Sequence, residues 1–303
     1  MSHGCALRMM RMLPLAVALA ACAQARAQTP TTAQQQAMRA AAGAARAALV
    51  VGPTSVPLRD EATLALPEHF GFIPRQQAVA LMSAIGNRSS DGFLGLIVPR
   101  GEHRVWFVAV MYQPSGYIKD DDARHWNADK LLESLKDGTE AANAERVRAG
   151  IPALVVTRWI EPPAYEPDTH QLVWSAEARR KDGVDTDPTV NYNTYLLGRE
   201  GYLSLNLITS ASTVDADKAA AQQLLSAVSF NPGKGYDDFN ASTDKVAAYG
   251  LAALVAGVAA KKLGLLALLA AAIVKFAKVI MVAAVGVFAA VTRWLKARAG
   301  RQA

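Results

Sequence analysis

The sequence predicts an α+β fold, in which a mostly antiparallel sheet is packed with helices and followed by a C-terminal transmembrane helical region. Apolar and polar residues alternate over 171–179, 190–197 and 202–209, as in strands that bury one face. The loop 198–201, with Gly at both ends, joins two of these runs and is typical of a hairpin. Stretches with helical spacing separate the strands, and a long hydrophobic region follows them.

The first half of the chain carries weaker signals of the same kind. Short strands are predicted at 49–51 and Ala62–Leu66, and an amphipathic helix at 75–85, where a glycine follows. The nearly continuous apolar run 104–112 predicts a central buried strand. An acidic stretch comes next and leads into a helical region at 127–149.

The second half is expected to continue the sheet. A strand is predicted at 153–160, ahead of the three alternating runs. The stretch 159–165, W-I-E-P-P-A-Y, is interpreted as a connector that packs over a sheet edge, with a ligand shelf as the alternative. The pattern Ser212-x-x-Asp215 is expected to open a further helix, and a short last strand is predicted at 228–230.

The charges divide the chain into a folded body between two basic, hydrophobic ends. Of the 32 Lys and Arg, 8 lie in 246–303 and 3 in 1–27, which leaves 21 against all 26 acidic residues in 28–245. The isoelectric point of about 9.3 therefore gives no reason to expect nucleic-acid binding. We predict an Ala/Gln-rich leader at 28–48 and an extracytoplasmic domain at 49–240.

The N-terminal segment has the features of a signal peptide. Arg8 and Arg11 precede an apolar stretch that is too short to span a bilayer, and Ala25-Arg26-Ala27 fits a cleavage site. As an alternative, the Leu-Ala-Ala-Cys sequence that ends at Cys22 fits the site at which bacterial lipoproteins are cut and lipidated. The chain has two cysteines, Cys5 and Cys22. Cys5 is removed in either case, and Cys22 is either removed or lipidated, so we expect no disulfide in the mature domain.

The region 246–292 is predicted to be the membrane anchor. Lysine pairs interrupt its uncharged runs, and none of these runs reaches the ~18–20 residues of a clean span. One long spanning helix with snorkelling lysines and a hairpin of two short helices both fit this pattern. We favour one span, because the basic tail 293–303 belongs in the cytoplasm by the positive-inside rule and the domain is exported. The main domain is then periplasmic and the anchor lies in the bacterial inner membrane; lipid anchoring through Cys22 is the alternative.

No motif supports a specific chemistry. The sequence lacks the nucleophile-elbow, zinc-protease, Walker A and dinucleotide-binding signatures, and we predict no cofactor. His69, His103, His125 and His170 are scattered without metal-ligand spacing, so no metal site is predicted. The aspartates of 182–187 resemble a calcium loop only loosely and favour a solvated turn.

The stretch G-Y-I-K-D-D-D-A-R-H-W carries the first set of candidate side chains. Asp120, Asp121 and Asp122 are interpreted as caps of the helix that follows, since a carboxylate accepts hydrogen bonds from the free N–H groups of a first turn. Asn127 offers a second cap. The alternatives are a binding surface, or an envelope hydrolase that uses these acids together with His125.

A second candidate binding surface lies on the predicted hairpin. In one interpretation, Asn191, Asn193, Arg199 and Glu200 form a polar recognition patch. In the interpretation that we favour, the two asparagines lie on the solvent-exposed face of an antiparallel sheet, and the two charged residues lie in its loop. No ligand is then needed to explain them.

Five segments of the chain together carry a resemblance to a known family. They are G-Y-I-K-D-D-D-A, R-W-I-E-P-P-A-Y, L-V-W-S, V-N-Y-N-T-Y-L-L-G-R-E-G-Y-L-S-L-N-L and D-K-V-A-A-Y-G-L. Over roughly residues 45–300 the chain resembles the bacterial "uncharacterised membrane-anchored protein" family, a domain-of-unknown-function group. The resemblance implies a signal peptide, an extracytoplasmic domain and a C-terminal membrane anchor, and it implies no activity or catalytic residue.

The sequence therefore predicts a membrane-anchored extracytoplasmic protein that acts as a binding or accessory module in the bacterial cell envelope. The missing catalytic motifs favour a non-enzymatic role, with the envelope hydrolase as one alternative. An accessory subunit of a membrane complex, whose lysine-bearing helices pack against other membrane helices, is another. The expected partners are the membrane and an envelope protein, and not a nucleic acid.

Overall fold

The computed structural model shows eleven strands and five α-helices within the residues that it describes. Those residues are 32–85, 87, 89–101, 106–148, 152–184 and 186–256. The strands are β1 (Val50–Val51), β2 (Thr54–Leu58), β3 (Ala62–Leu66), β4 (Phe70–Pro74), β5 (Phe93–Pro99), β6 (Phe107–Gln113), β7 (Leu154–Glu166), β8 (Gln171–Arg180), β9 (Thr189–Leu197), β10 (Tyr202–Ser210) and β11 (Val228–Phe230). The helices are α1 (Thr32–Ala47), α2 (Arg75–Ala84), α3 (Ala128–Arg148), α4 (Val214–Ser226) and α5 (Ala252–Ala256).

Most of the strands belong to one large antiparallel sheet. Its eight strands follow the order β1-β4-β5-β6-β10-β9-β8-β7, and β11, β3 and β2 form a smaller sheet. The predicted hairpin is present, with Leu203 opposite Leu196 and Leu207 opposite Tyr192. The α+β class and the antiparallel sheet are therefore confirmed.

Helices cover both faces of the large sheet. In β6, Val108, Val110 and Tyr112 point to one face, and Ala109 and Met111 point to the other. The first face is covered by α4 and the smaller sheet. The second face is covered at one end by α1 and α2 and at the other by α3 and α5. Burial on both sides explains why central strands such as β6 have a nearly continuous apolar sequence.

Several strands differ from the sequence-based expectation. β2, β4 and β5 were not predicted; β4 and β5 each contain Gly and end in Pro, which are signals of turns. β7 continues through 159–165, so the connector interpretation of this stretch is wrong. The register of β7 against β8 shifts three times, and Pro162 and Pro163 lie within the last of these shifts, between Glu161 and Ala164. Prolines are tolerated there because β7 is an edge strand.

The described part of the predicted leader 28–48 contains a helix that takes part in the core. This helix is α1, and the Ala45 side chain is buried in one cluster with Ala78 and Met82 of α2. Contact with α2 gives the Ala-rich side of α1 an apolar partner. The helix therefore belongs to the folded body and not only to a leader that precedes it.

The predicted anchor region also begins inside the folded body. Leu251, Leu254 and Val255 are buried in the cluster that contains the apolar side chains of α3. No helix among the described residues is long and apolar enough to cross a membrane. The remainder of the predicted anchor, from 257 onward, lies outside the described residues, as do the predicted signal peptide, Cys22 and the basic tail.

Candidate functional site

The acidic stretch after β6 docks against the segment that leads into the C-terminal hydrophobic region. The Tyr117 N–H donates to the Lys245 carbonyl at 2.8 Å, and the Tyr117 carbonyl accepts the N–H of Ala247, also at 2.8 Å. Gly116 has a φ of 86°, and a Cβ at this position would lie 2.6 Å from the Lys245 oxygen. This left-handed conformation and close approach require glycine. We call this contact between 116–122 and 244–252, together with the side chains that pack against it, the junction.

Asp122 caps a helix, but not the helix that follows it in the sequence. Its carboxylate accepts the N–H groups of Leu251 at 3.1 Å and Ala252 at 3.0 Å, where α5 begins. The following helix, α3, is capped instead by Asn127, whose side-chain oxygen accepts the Lys130 N–H at 3.0 Å. The prediction that Asp122 caps the helix that follows it is therefore wrong. Its carboxylate caps α5 instead, and Leu251 of this contact lies 129 residues further along the chain.

Asp120 belongs to a chain of polar side chains at the same junction. Its Oδ2 accepts the Tyr165 hydroxyl at 2.8 Å. Nδ1 of His170 lies 3.3 Å from that hydroxyl, and Nε2 of His170 lies 3.3 Å from Oδ1 of Asp237. The β7–β8 hairpin positions both Tyr165 and His170. His125, the partner predicted for these acids, is exposed. Its backbone N–H donates to the Asp122 carbonyl at 3.2 Å, and among the described residues no side-chain contact joins it to the acids.

Aromatic rings fill the space beside this polar chain. Tyr117 stacks between Tyr236 and Phe239, with ring centroids 4.4 and 3.8 Å away. The His170 ring lies 4.3 Å from Tyr236. Offset contacts of this kind add to the stabilisation from burial of the rings. The 3-10 segment that carries Tyr236 is thereby held against the junction.

The tyrosine hydroxyls of the junction act as hydrogen-bond donors. Burial raises the pKa of Tyr165 well above its ordinary value, and the hydrogen bond to Asp120 adds to the shift. Burial likewise raises the pKa of Tyr236, whose hydroxyl donates to the Ile118 carbonyl at 2.8 Å. Both phenols therefore stay protonated at neutral pH. They hold the acidic stretch in place and are not poised as general bases.

Arg199 and Glu200 form ion pairs close to the junction. Nε and Nη2 of Arg199 donate to Asp244 at 2.6 and 2.9 Å, which is a bidentate pair. Asp244 also accepts the Asn240 N–H at 2.8 Å. Arg199, followed by this backbone contact, holds the pKa of the Asp244 carboxyl well below its usual range. Glu200 is exposed, and its carboxylate lies 3.3 Å from Nζ of Lys234. Arg199 and Glu200 therefore connect the β9–β10 loop to residues 234 and 244.

Asn193 lies inside the protein and Asn191 is half-buried, so neither is on a fully solvent-exposed sheet face. Asn193 is only 3% exposed, and its Nδ2 donates to the Asn191 carbonyl at 3.1 Å. The prediction of a wet sheet face is therefore wrong here, because helices cover both sides of the sheet. Within the described part of the chain, the buried side-chain oxygens of Asn191 and Asn206 accept no hydrogen bond. The two asparagines do not form one patch with Arg199 and Glu200, which pair in the loop.

Asp182 and Asp187, the two described aspartates of 182–187, pair with protein groups, Asp182 with Arg180 at 2.9 Å. The Asp187 carboxylate accepts the Ser212 hydroxyl at 2.7 Å and the Ser212 N–H at 3.0 Å, and the hydroxyl contact lowers the pKa of this acid. The helix expected to open at Ser212 is present as α4, which begins at Val214. Its N-cap residue, Thr213, makes no side-chain capping hydrogen bond, and Asp215 pairs with Lys218 at 2.9 Å. Asp185 lies outside the described residues.

The described residues contain no built site for a metal ion. No group of three or more of their His, Cys, Asp and Glu side chains is placed to hold a metal ion. A depression of about 360 Å³ borders the junction and is lined by Lys119, Asp121, Asp122 and 247–250. Both carboxylate oxygens of Asp122 are already occupied there by backbone N–H groups. The arrangement is suited to holding segments of chain together.

Sequence reasoning missed several members of the junction. Tyr165, His170, Asp237 and Asp244 were not among the predicted site residues. The Tyr165–Asp120 contact joins residues 45 positions apart, and no local pattern reports a contact at that separation. One available signal was the stretch R-W-I-E-P-P-A-Y, which ends in Tyr165 and carries part of the family resemblance.

A family model matches most of the chain. A family model described as "Protein of unknown function (DUF2167)" matches residues 50–286. No curated protein matches the chain. The solution structure of cyanobacterial PsbP (CyanoP) from Synechocystis sp. PCC 6803 is similar at 12% identity and a TM-score of 0.34, covering 60% of this chain and 91% of that one. A TM-score of 0.34 supports no argument about fold or function.

Proposed function

The chain belongs to the DUF2167 family of proteins of unknown function, and we propose that it is a non-catalytic binding or accessory module of the bacterial cell envelope. In this proposal the described body lies in the periplasm and the region after residue 256 holds it at the inner membrane. The basic tail 293–303 lies in the cytoplasm, and the partner is an envelope protein.

The composition of the chain after the junction carries this proposal. Residues 257–303 contain eight Lys and Arg and no acid, spread through long apolar runs. In a folded aqueous core, lysines of this kind need acidic partners, and the segment itself offers none. At a bilayer they place their charged ends in the interface, and basic residues concentrate on the cytoplasmic side. The composition therefore supports attachment to a membrane.

The junction supports a role as a fixed module. The chain is packed up to Ala256, with α5 capped by Asp122 and its apolar side chains buried against α3. If the membrane attachment begins directly after Ala256, no long flexible linker separates it from the folded body. Such an arrangement suits a module that presents a binding surface at a fixed position near the membrane.

The envelope-hydrolase alternative has less support. A general base and the group that orients it must come within hydrogen-bond reach. Asp120 contacts Tyr165, and Asp122 contacts two backbone N–H groups. The His125 side chain is exposed and makes no contact with either carboxylate among the described residues.

Fractionation of cells that express the full chain tests the attachment. We expect the chain to stay in the membrane fraction after an alkaline carbonate wash, and a variant that ends after Ala256 to appear in the periplasmic fraction. Protease added to spheroplasts should digest the described body. Recovery of the full chain in a soluble fraction would overturn the proposal.

In-cell crosslinking followed by mass spectrometry tests the binding role. We expect the full-length chain to crosslink to a defined envelope protein. A double variant, Asp120→Ala with His125→Ala, should complement a deletion strain as well as the unaltered chain, provided that it folds. Loss of complementation with unchanged thermal stability would favour the hydrolase instead.

A further inference from the structure

His170 closes the turn between β7 and β8 in a backbone conformation that favours glycine. Its φ of 53° lies in the left-handed region, which few side chains adopt without cost. The backbone is held there, because the His170 carbonyl accepts the Leu197 N–H of β9 at 3.0 Å. The ring is only 20% exposed and lies 4.3 Å from the Tyr236 ring. A conformation of this kind persists where the contacts of the residue compensate for its cost.

The contacts of the His170 ring call for a hydrogen on both of its nitrogen atoms. Tyr165 donates its single hydroxyl hydrogen to Asp120 at 2.8 Å, so its oxygen, 3.3 Å from Nδ1 of His170, is left as an acceptor. Nε2 of the ring lies 3.3 Å from Oδ1 of Asp237, and a carboxylate is also an acceptor. A neutral imidazole carries one N–H group, whereas the protonated ring carries two. Only the protonated ring offers a donor to both acceptors at once.

Each neutral form of the ring loses one of these contacts. With the hydrogen on Nε2, Nδ1 becomes an acceptor and competes with Asp120 for the hydroxyl hydrogen of Tyr165. With the hydrogen on Nδ1, a lone pair of Nε2 faces the carboxylate of Asp237. Loss of the proton therefore weakens the attachment of either the acidic stretch or the 3-10 segment Tyr236–Asp238 to the β7–β8 hairpin.

The charged groups of the surrounding elements favour the protonated ring. The acids belong to the acidic stretch, the 3-10 segment and the turn itself; they are Asp120, Asp121, Asp237, Asp238, Glu166 and Asp168. Of the basic side chains on the acidic stretch and the β9–β10 loop, Lys119 is exposed and Arg199 pairs with Asp244. Among the described residues, no lysine or arginine pairs with Asp120 or Asp237. A positive charge on His170 therefore balances acids that lack another basic partner.

The other groups beside the ring keep their charge near neutral pH. Burial raises the pKa of the neighbouring phenols above its ordinary value, so they stay protonated; they are Tyr117, Tyr165 and Tyr236. Carboxyl groups ordinarily stay ionised in this range. Histidine is the side-chain type at the junction whose charge ordinarily changes between about pH 5 and about pH 8.

We propose that His170 is a pH-sensitive switch that, when protonated, holds the acidic stretch and the 3-10 segment together against the β7–β8 hairpin. When the ring is neutral, one of these contacts is lost and the chain from Tyr236 to Ala256 opens more often. Because the closed junction favours the protonated ring, the stabilisation is fully present below about pH 6.5, the ordinary midpoint of histidine, and is lost as the pH rises above it. The proposal concerns the described body alone, so it stands whether or not the C-terminal region spans a membrane.

Hydrogen exchange of the full-length chain in non-ionic detergent micelles tests this switch. Exchange is measured at about pH 5.5 and about pH 8, and each rate is divided by the intrinsic exchange rate at that pH. We expect the protection of peptides that cover 236–252 to fall about threefold or more at the higher pH, because one exposed ion pair and one hydrogen bond are weakened. Peptides from β10 report the global stability and should keep their protection.

Matched variants separate His170 from the other titrating groups of the chain. His170→Gln should abolish the pH dependence of 236–252, whereas His125→Gln, at an exposed histidine, should preserve it. Asp237→Asn removes the carboxylate that faces Nε2 and should reduce the dependence; because this side chain is 91% exposed, the variant also serves if His170→Gln fails to fold. The proposal is overturned if the protection of 236–252 is equal at both pH values, if His170→Gln or Asp237→Asn keeps the full dependence, or if His125→Gln loses it.

Discussion

Replacement of Asp122 by alanine should open the junction without unfolding the body. The carboxylate accepts the N–H groups of Leu251 and Ala252 at 3.1 and 3.0 Å, and alanine leaves both donors without this partner. Loss of an aspartate cap costs about 1 kcal/mol, in a range of about 0.5–2. A cost of about 1 kcal/mol multiplies the opening constant of α5 by about five, since about 1.4 kcal/mol corresponds to a factor of ten.

Hydrogen exchange with mass spectrometry measures this opening directly. In the full-length Asp122→Ala variant, peptides that cover 245–256 should exchange about fivefold faster, while peptides from β9 and β10 should keep their rates. Asp121→Ala is the matched control, because Asp121 is an exposed neighbour with the same charge. Equal acceleration in both variants, or no acceleration in Asp122→Ala, would refute the capping argument.

Three further substitutions test other parts of the structure. Asn143→Ala should destabilise the chain by about 2–4 kcal/mol in thermal unfolding, since its amide makes two 2.9 Å hydrogen bonds to the backbone of β7 that alanine leaves unpaired. Tyr165→Phe should cost about 1 kcal/mol by the same measurement, because it removes the hydroxyl that donates to Asp120 at 2.8 Å. Glu177→Gln should reduce stability most above the ordinary glutamate pKa of about 4.3. Because Arg179 lowers the pKa of Glu177 in the folded state, the difference from the unaltered chain should shrink as pH falls through that lower value. Unchanged stability in the first two variants, or a difference that grows towards acid pH in the third, would contradict these assignments.

The strands of the second half could be predicted because their local patterns are clear. In β8, Leu172 and Trp174 are buried on one face, and the alternating sequence shows this directly. β4 and β5 were missed because each is a short apolar run with a glycine, and burial on both faces removes the alternation. The stretch 159–165 was assigned to a connector because two prolines argue against a central strand, yet an edge strand with bulges accepts them.

The junction lay beyond prediction for a different reason. Its contacts depend on which distant segments the sheet brings together, and the sequence near Asp122 contains no information about Leu251. The prediction that these aspartates accept free N–H groups is correct for Asp122, but the N–H groups come from α5 and not from the helix that follows in the sequence. Asp120 accepts a tyrosine hydroxyl instead. A capping residue acts through space, and only the topology of the sheet decides which helix end lies within reach.

Two departures from regular local pattern lie at positions where side chains depend on long-range contacts. The bulge before Trp159 breaks the alternation of β7 and sends Arg158 to Glu177. The positive φ of Gly116 breaks the extended course after β6 and allows contact with Lys245. Local rules describe the cheapest conformation of a segment, so a departure from them persists where other contacts compensate for its cost. In this chain, such irregular positions mark where contacts between distant segments decide the local conformation.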